Sequence, residues 1–471
     1  MLSLPLLLIG GLLVLAAVTY LLRTWDRAVA LVAAALLGVT ALALWFMDLS
    51  VPVQTLPLVG RSVGLLAPLE RLGFAMQLQA ATAPVLAACF ALTAVAFALA
   101  ARVSQGHTFV PIALVLLAGY TGVITMVSAP LPPLLMAPLF LVGLSCVSAF
   151  ILQAGRLQHP AGPLRLIVPP VLAFPLFVLA AWYLDQAPLN PQDTSMQVAA
   201  AQLIMLGMVL LLAPVPLHGA QPAAMQSAPP VVAALVLLLY QFTVVNLFFR
   251  LQSDYLFLTA YAPLATWFSL AGAATAVWGG IAAAGTNQAG RLWGYAALHD
   301  WGLLIMVMGI PGLPTLPLAL FLLNLRAISM MTTAAGLSVL EQHAGGLEPR
   351  RLQGAGTRLP WNSAAVLLGG LGLAGFPLSA GFTGHWAAIQ VIAGVNWRPA
   401  VIVLLASGGA IFGYIRLARV LFGPLENRAL VRERPLSAFV AVAALLLAVG
   451  LAVAPQLLDQ PIARALLGFG S

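Results

Sequence analysis

The sequence predicts an all-α polytopic membrane protein of about fourteen transmembrane helices. Of its 471 residues, 62% are hydrophobic and only 7% charged, with a mean hydropathy of +1.04. A soluble domain needs far more charge to cover its surface. The apolar runs are each about 20 residues, the length of helix that spans the hydrocarbon core. The alternating short strands of a membrane barrel are absent.

Runs punctuated by charge, Gly and Pro give spans at 2–22, 28–47, 78–101, 108–128, 131–153, 166–184, 196–217, 228–249, 257–283, 293–310, 314–340, 361–392, 399–421 and 436–456. The first run lacks the basic start of a signal peptide and is expected to be retained as a span. The whole chain, 1–471, is then one integral membrane domain with no soluble part. Its longest connections are 48–77, 341–360 and 422–435, and the Val/Thr/Gly/Pro character of the first predicts an extended or hairpin excursion.

All 20 basic residues are arginine. Odd-numbered loops hold fourteen of them, even-numbered loops and the C-terminus hold five, and Arg326 lies inside span eleven. The positive-inside bias therefore places odd loops in the cytoplasm and both termini outside, in a bacterial-type inner membrane. The net charge of +8 does not suggest nucleic acid, because the arginines are scattered singly between spans. The expected contacts are the lipid bilayer and other membrane subunits, for which the many small residues (42 Gly) suit close helix packing. Cys89 and Cys146 lie in apolar runs and are expected to be small buried residues, with no metal or disulfide framework.

Two spans are interrupted. Span seven ends "APVPLHGAQP", where two prolines flank Val215 before His218. Proline removes a backbone donor and clashes with the preceding turn, so the helix must break. Span twelve breaks at "GFPLSAGFTGH", ending on His385. Unpaired backbone at membrane depth is tolerated only where protein or a water-filled cavity satisfies it. Spans seven and twelve are five apart, so spans four to eight and nine to thirteen form two five-helix sets, the second inverted relative to the first. Interrupted helices at matching places in two such halves point to an ion path at the midplane. This divides the chain into three N-terminal helices (1–101), a first repeat (108–251), a second repeat (257–421) and a last helix (436–456).

Polar residues at membrane depth are expensive and are functional candidates by default. They are Gln241 and Asn246 in span eight, His299 and Asp300 in span ten, and Asn324 and Arg326 in span eleven, with His218 and His385 at the breaks. A lone membrane Gln or Asn is more often interhelical glue than a relay. Asp300 lies nine residues past Arg291 and is expected near the interface, solvated. Arg326 is about a dozen residues from either end of its span and must face the bundle interior or a cavity.

Three segments carry a family resemblance. "TNQAGRLWGYAALHDWGLLIM" (286–306) resembles the "T-(N/D)-L-K-R-L-L-A-Y-S-S-I-x-H-x-G" segment of antiporter-like membrane subunits. "APVPLHGAQPAAMQSAPPVVAAL" (213–235) is similar to their "x-P-F-H-x-W-x-P-D-x-x-x-x-A-P-T-P-V-S-A-x-L", and "GFPLSAGFTGHW" (375–386) to their "G-I-P-P-x-A-G-F-x-G-K-F". This is the proton-translocating group shared by respiratory complex I (NADH–quinone oxidoreductase subunits L, M and N), membrane-bound hydrogenases and multisubunit Na+/H+ antiporters. The L-type lateral helix is not seen after span fourteen, so the resemblance is to an N-like or M-like subunit. It implies a place in a hetero-oligomeric assembly in the electron transport chain. Quinone, NADH, flavin or iron–sulfur clusters, where involved, belong to partner subunits and none to this chain.

In the family a span-five glutamate and lysines in spans seven, eight and twelve form a polar axis. Those slots fall here on Val142, Leu211, Gln241 and His385. Guanidinium stays protonated, so Arg326 is no substitute for a lysine that releases its proton. His299, Asp300, Arg326 and His385 are left as one titratable group in the second repeat, while the first looks electrically dead. Two readings stay open: an active subunit conducting through His385 and His299, and a degenerate subunit sealed by apolar substitutions. A stand-alone solute transporter is the third, opposed by the lack of a substrate-sized set of polar contacts.

Overall fold

The computed structural model describes residues 2–47, 53–55, 62–65, 67–71, 74–130, 133–153, 161–189, 194–261, 263–310, 315–424, 432–459 and 463. Arg61, Arg156, Arg428 and Arg464 of the arginine count lie outside them. The body is helical: α1 Leu4–Leu21, α2 Asp26–Phe46, α3 Thr82–Ala100, α4 Phe109–Thr125, α5 Pro133–Gln153, α6 Val168–Gln186, α7 Ser195–Leu212, α8 Ala220–Ser227, α9 Pro230–Asp254, α10 Pro263–Gly285, α11 Ala289–Met308, α12 Thr315–Ala344, α13 Pro360–Leu373, α14 Phe382–Val395, α15 Trp397–Leu421 and α16 Pro435–Val453. Single helical turns join several of them. Among the described residues, eleven helical stretches are long and apolar enough to cross a membrane, and α4 is a shorter apolar helix.

The centre is built from α9, α11 and α12. From Leu292 to Met308 every residue of α11 is buried, as is nearly all of α9. The perimeter is apolar too: Leu31, Leu36 and Leu42 on α2, Leu405 and Phe412 on α15, and Leu436 and Phe439 on α16 are exposed. An outward-facing apolar belt is what a lipid-embedded surface presents. It also corrects one expectation: Cys89 is buried, but Cys146 is exposed on this belt.

The all-α expectation needs a second correction. Two small three-stranded sheets lie along one face. In the first, β1 (Leu2–Ser3) runs parallel to β3 (Ser62–Gly64), which is antiparallel to β2 (Val53–Thr55). In the second, β5 (Phe74–Met76) sits between β4 (Leu69–Arg71) and β6 (Met126–Pro130), antiparallel to both. The extended excursion before α3 is as expected. The strand at 126–130 is a departure, since its first three residues fall on the expected end of span four, 108–128. There α4 ends at Thr125 and the chain goes on extended, pairing with Phe74–Met76.

Hydrogen bonds between loops gather most arginines on the other face. His107 reaches the Arg23 carbonyl, Arg102 that of Leu436, and Arg416 that of Thr286. The Gly354 amide donates to Val420 and that of Glu433 to Arg358. Glu433 also caps the start of α13, accepting from the Trp361 and Asn362 amides at 3.2 and 3.0 Å.

Both expected breaks are present. α7 ends at Leu212, with Ala213 in the left-handed region (φ 47°), and α8 starts at Ala220. Side chains take up the backbone groups that this frees. Thr275 Oγ1 accepts from the Val215 amide (3.0 Å), Trp301 Nε1 donates to Leu212 O (2.8 Å) and Tyr240 donates to Leu211 O (2.7 Å). Between α13 and α14, Gly375 and Leu378 both have φ of 68°. The Phe376 amide closes back on Leu371 O at 3.0 Å.

Candidate functional site

The buried polar residues of α9, α11, α12 and α14 meet in one cluster. At its centre, Arg326 Nη1 donates to Asp300 Oδ2 at 2.6 Å and to Ala297 O at 2.6 Å. Its Nε donates to Gln241 Oε1 at 2.8 Å, and its Cζ lies 5.3 Å over the Trp301 ring. The guanidinium is thus paired, hydrogen-bonded and stacked, which is what a charge removed from water requires. Arg326 is 1% exposed and Asp300 5%. Asp300 is therefore not solvated at an interface, as its distance from Arg291 suggested. The helix starts at Ala289, which puts Asp300 more than three turns inside it, and Arg326 supplies the counter-charge that makes this depth tolerable.

On one side the cluster continues through amides. Gln241 Nε2 donates to Gln221 Oε1 at 3.3 Å, and Gln221 Nε2 to Gly294 O at 3.4 Å. On the other it ends in imidazoles. His385 Nε2 lies 3.6 Å from Asp300 Oδ1, ion-pair distance but just beyond a hydrogen bond. Its Nδ1 donates to Gly381 O at 3.1 Å, one helical turn back. The His299 ring stacks near it, centroids 6.0 Å apart and planes 22° apart. His299 Nδ1 donates to Ala276 O at 2.9 Å and its Nε2 faces Ser407 Oγ at 3.0 Å.

These contacts fix what each group can do. A carbonyl can only accept, so both Nδ1 atoms carry hydrogen and Nε2 is the position that gains or loses a proton. With a proton, His385 Nε2 has the Asp300 carboxylate to donate to; without one, it faces that carboxylate with a lone pair. The Ser407 hydroxyl serves His299 in either state. It donates to a neutral Nε2, or it accepts from a protonated one and turns its hydrogen to Val403 O, 3.2 Å away. A charge on one ring opposes a charge on the other.

Five expected residues are thus brought together: Gln241, His299, Asp300, Arg326 and His385. His218 is not in contact with them. It is half-buried at the first break, edge-on to Trp278 at 5.9 Å. It lines a cavity of about 430 Å3 together with Arg165, Arg291 and Tyr295. It also lines a second cavity of about 30 Å3 that reaches Gln221, Gln241 and Trp301, room for one or two waters. Leu211 is fully buried and offers only its carbonyl, to Tyr240. Val142 is half-buried on α5, its carbonyl accepting from Ser145 at 2.7 Å. Gln221, Trp301 and Ser407 are additional members that sequence reading missed. A single Ser in an apolar run and a Gln beside a proline break carry no signal of their own.

A family model described as "NADH:quinone oxidoreductase/Mrp antiporter, TM" matches residues 174–413. A Parafrankia protein named NADH-quinone oxidoreductase subunit N is 31% identical over 41% of this chain and 38% of its own length. One of the same name from Rhodopseudomonas palustris is 26% identical over 50% of each. The chain therefore spans about half the length, or less, of these relatives. Among solved structures, a subunit of the archaeal membrane-bound sulfane sulfur reductase superimposes with a TM-score of 0.82 at 18% identity, covering 98% of this chain and 96% of that one. Similar chains occur in respiratory complex I from Thermus thermophilus with bound NADH (0.76, 19%, covering 99% and 100%) and in the Mrp complex of a Dietzia species (0.75, 18%, covering 97% of both). At such identities the likeness is one of fold.

Proposed function

The chain belongs to the NADH:quinone oxidoreductase/Mrp antiporter transmembrane family, and we propose that it is a subunit-N-like component of the membrane arm of a complex I-like assembly, taking part in redox-coupled proton translocation. Its partners are other integral membrane subunits, which carry any quinone, NADH, flavin or iron–sulfur sites. The observation that carries this reading is the buried cluster itself, in which a titratable imidazole, His385, faces a carboxylate held by a permanent cation.

The architecture proposed with it has fourteen crossings. To the eleven long apolar stretches it adds α4, α11 and the interrupted pair α13–α14. Two inverted repeats, 108–251 and 257–421, follow the N-terminal helices (1–101) and precede the last helix (436–456). The breaks at 213–219 and 374–381 support them. With most arginines on the cytoplasmic side, both termini face outward from the energy-transducing membrane.

On this reading the polar axis is altered in kind. Arg326 cannot give up its proton, so it is a fixed charge that orients Asp300 and Gln241 and resists passage of a cation between them. The working centre is confined to Asp300, His385 and His299. His385 takes a proton at Nε2 and donates it toward Asp300, while His299 and the Ser407 hydroxyl accept the same change beside it. The sealed-subunit reading draws on a different observation, the fully buried Leu211 where a lysine is expected.

One experiment separates them. His385→Ala is introduced into the assembled complex in proteoliposomes, and proton uptake is measured against electron transfer. The proposal expects fewer protons per electron with electron transfer retained, and His385→Lys, which restores a titratable cation beside Asp300, recovers part of the loss. An unchanged ratio in the alanine variant would establish the sealed subunit instead.

A further inference from the structure

The cavity of about 430 Å3 beside the first break lies on the arginine-rich face, between the start of α6, the segment 216–219, α8 and α11. Its polar lining is Arg165, His218, Gln226, Arg291 and Tyr295, with no carboxylate among them. Neither arginine is ion-paired among the described residues. Arg291 is held in place by Tyr295, with Nη2 3.3 Å from the hydroxyl and the guanidinium 5.6 Å from the ring centre. Arg165 lies against the break, its Nη1 at 3.3 Å from where a Cβ on Gly219 would stand. Three other arginines do have a carboxylate partner: Arg326 has Asp300, Arg250 has Asp254 and Arg351 has Glu348. Here two permanent cations, a hydroxyl and an amide converge on a preformed concavity with nothing to balance them.

We propose that this cavity binds a phosphate-type anion, with an anionic lipid headgroup as the source its position favours. A basic pocket between membrane helices at the arginine-bearing face matches the chemistry of a phosphodiester. Arginine's fork suits its paired oxygens, and a partner already positioned loses less entropy on binding. His218 lines both this cavity and the small one that reaches Gln221 and Gln241. A bound anion therefore cancels the positive field at the mouth of the interior.

The test is a binding measurement on the purified full chain in mixed micelles, read as a shift in Tm and by native mass spectrometry, so it stands or falls independently of proton pumping. The probes are phosphatidylglycerol, phosphatidylcholine and inorganic phosphate. Phosphatidylglycerol is expected to raise Tm and remain bound, and phosphatidylcholine to do neither. Arg165→Gln with Arg291→Gln should weaken phosphatidylglycerol binding about thirtyfold, whereas Arg350→Gln, on the same face but outside the cavity, should leave it intact. If the double variant does not fold, Gln226→Glu, which adds a carboxylate to the lining, is expected to abolish the effect alone. A matching effect from inorganic phosphate, competing with the lipid, supports the anion site and identifies a free anion as its source. Equal effects of the two lipids, or a phosphatidylglycerol effect that survives both sets of substitutions, overturns the proposal.

Discussion

Replacing Arg326 by methionine tests the central ion pair most directly. The substitution removes hydrogen bonds to Asp300, Ala297 and Gln241 and the stacking on Trp301. Methionine refills much of the space, so the cavity contribution is small. What dominates is the carboxylate left behind. Asp300 is 5% exposed, so water cannot replace the guanidinium, and what stays beside it is the His385 imidazole at 3.6 Å. Breaking a buried pair from one side costs about 3–5 kcal/mol. Removing the charge on both sides, as Arg326→Met with Asp300→Asn, leaves only polar groups short of a bond or two and should cost about 1–2 kcal/mol. The double variant is therefore expected to be more stable than the single one by about 2–3 kcal/mol, and Asp300→Asn alone completes the double-mutant cycle that isolates the coupling. SDS-induced unfolding in mixed micelles, followed by tryptophan fluorescence, reads it. A single variant within about 1 kcal/mol of wild type, or a double variant no better than the single one, would refute the reasoning.

Three further outcomes are expected. Gly375→Ala places a methyl group 2.6 Å from the His385 ring carbon in a left-handed conformation that alanine resists; it should displace the ring and lower protons per electron while leaving the assembled complex intact, measured as for His385→Ala. Gly302→Val drives a side chain into the backbone of α10 at Ala276, which cannot give way; a loss of about 3 kcal/mol is expected in the same unfolding assay, against little for Gly10→Val, which meets open space. On the surface, the hydrogen bond to Asp26 at 2.6 Å raises His107 above its ordinary 6.5. A raised histidine contributes stability in full below about 6.5, and the contribution disappears as pH rises through its folded-state value. His107→Gln should therefore differ slightly from wild type in acid and converge with it in alkali, as read by Tm across that range.

How far the sequence foretold this arrangement depends on the kind of signal. Helix positions were legible because each apolar run is itself the cause of a helix, and the breaks because Pro214, Pro216 and Gly375 act locally. Arg326 was legible because a guanidinium in mid-span has no alternative to the interior. The depth of Asp300 is not legible from its distance to Arg291, because its burial depends on a partner 26 residues away on another helix. Gln221 and Ser407 joined the cluster only through tertiary contacts, which no periodicity reveals. The strand at 126–130 escaped for the same reason, since its pairing partner is at 74–76.

The glycines between α10 and α11 have a mechanical consequence. Gly302 meets the backbone of Ala276, Gly279 that of His299, and a Cβ on Gly272 would stand 2.6 Å from Gly302 O. Two helices in backbone contact cannot slide or roll against each other without colliding, so they form a stator, and His299 and Asp300 are bolted to it. His385 is mounted elsewhere, on α14, beyond the turn that carries Gly375 and Leu378. The 3.6 Å between His385 and Asp300 is therefore set between two separately built parts, and a change of a few tenths of an ångström in how they seat decides whether a proton contact is made there.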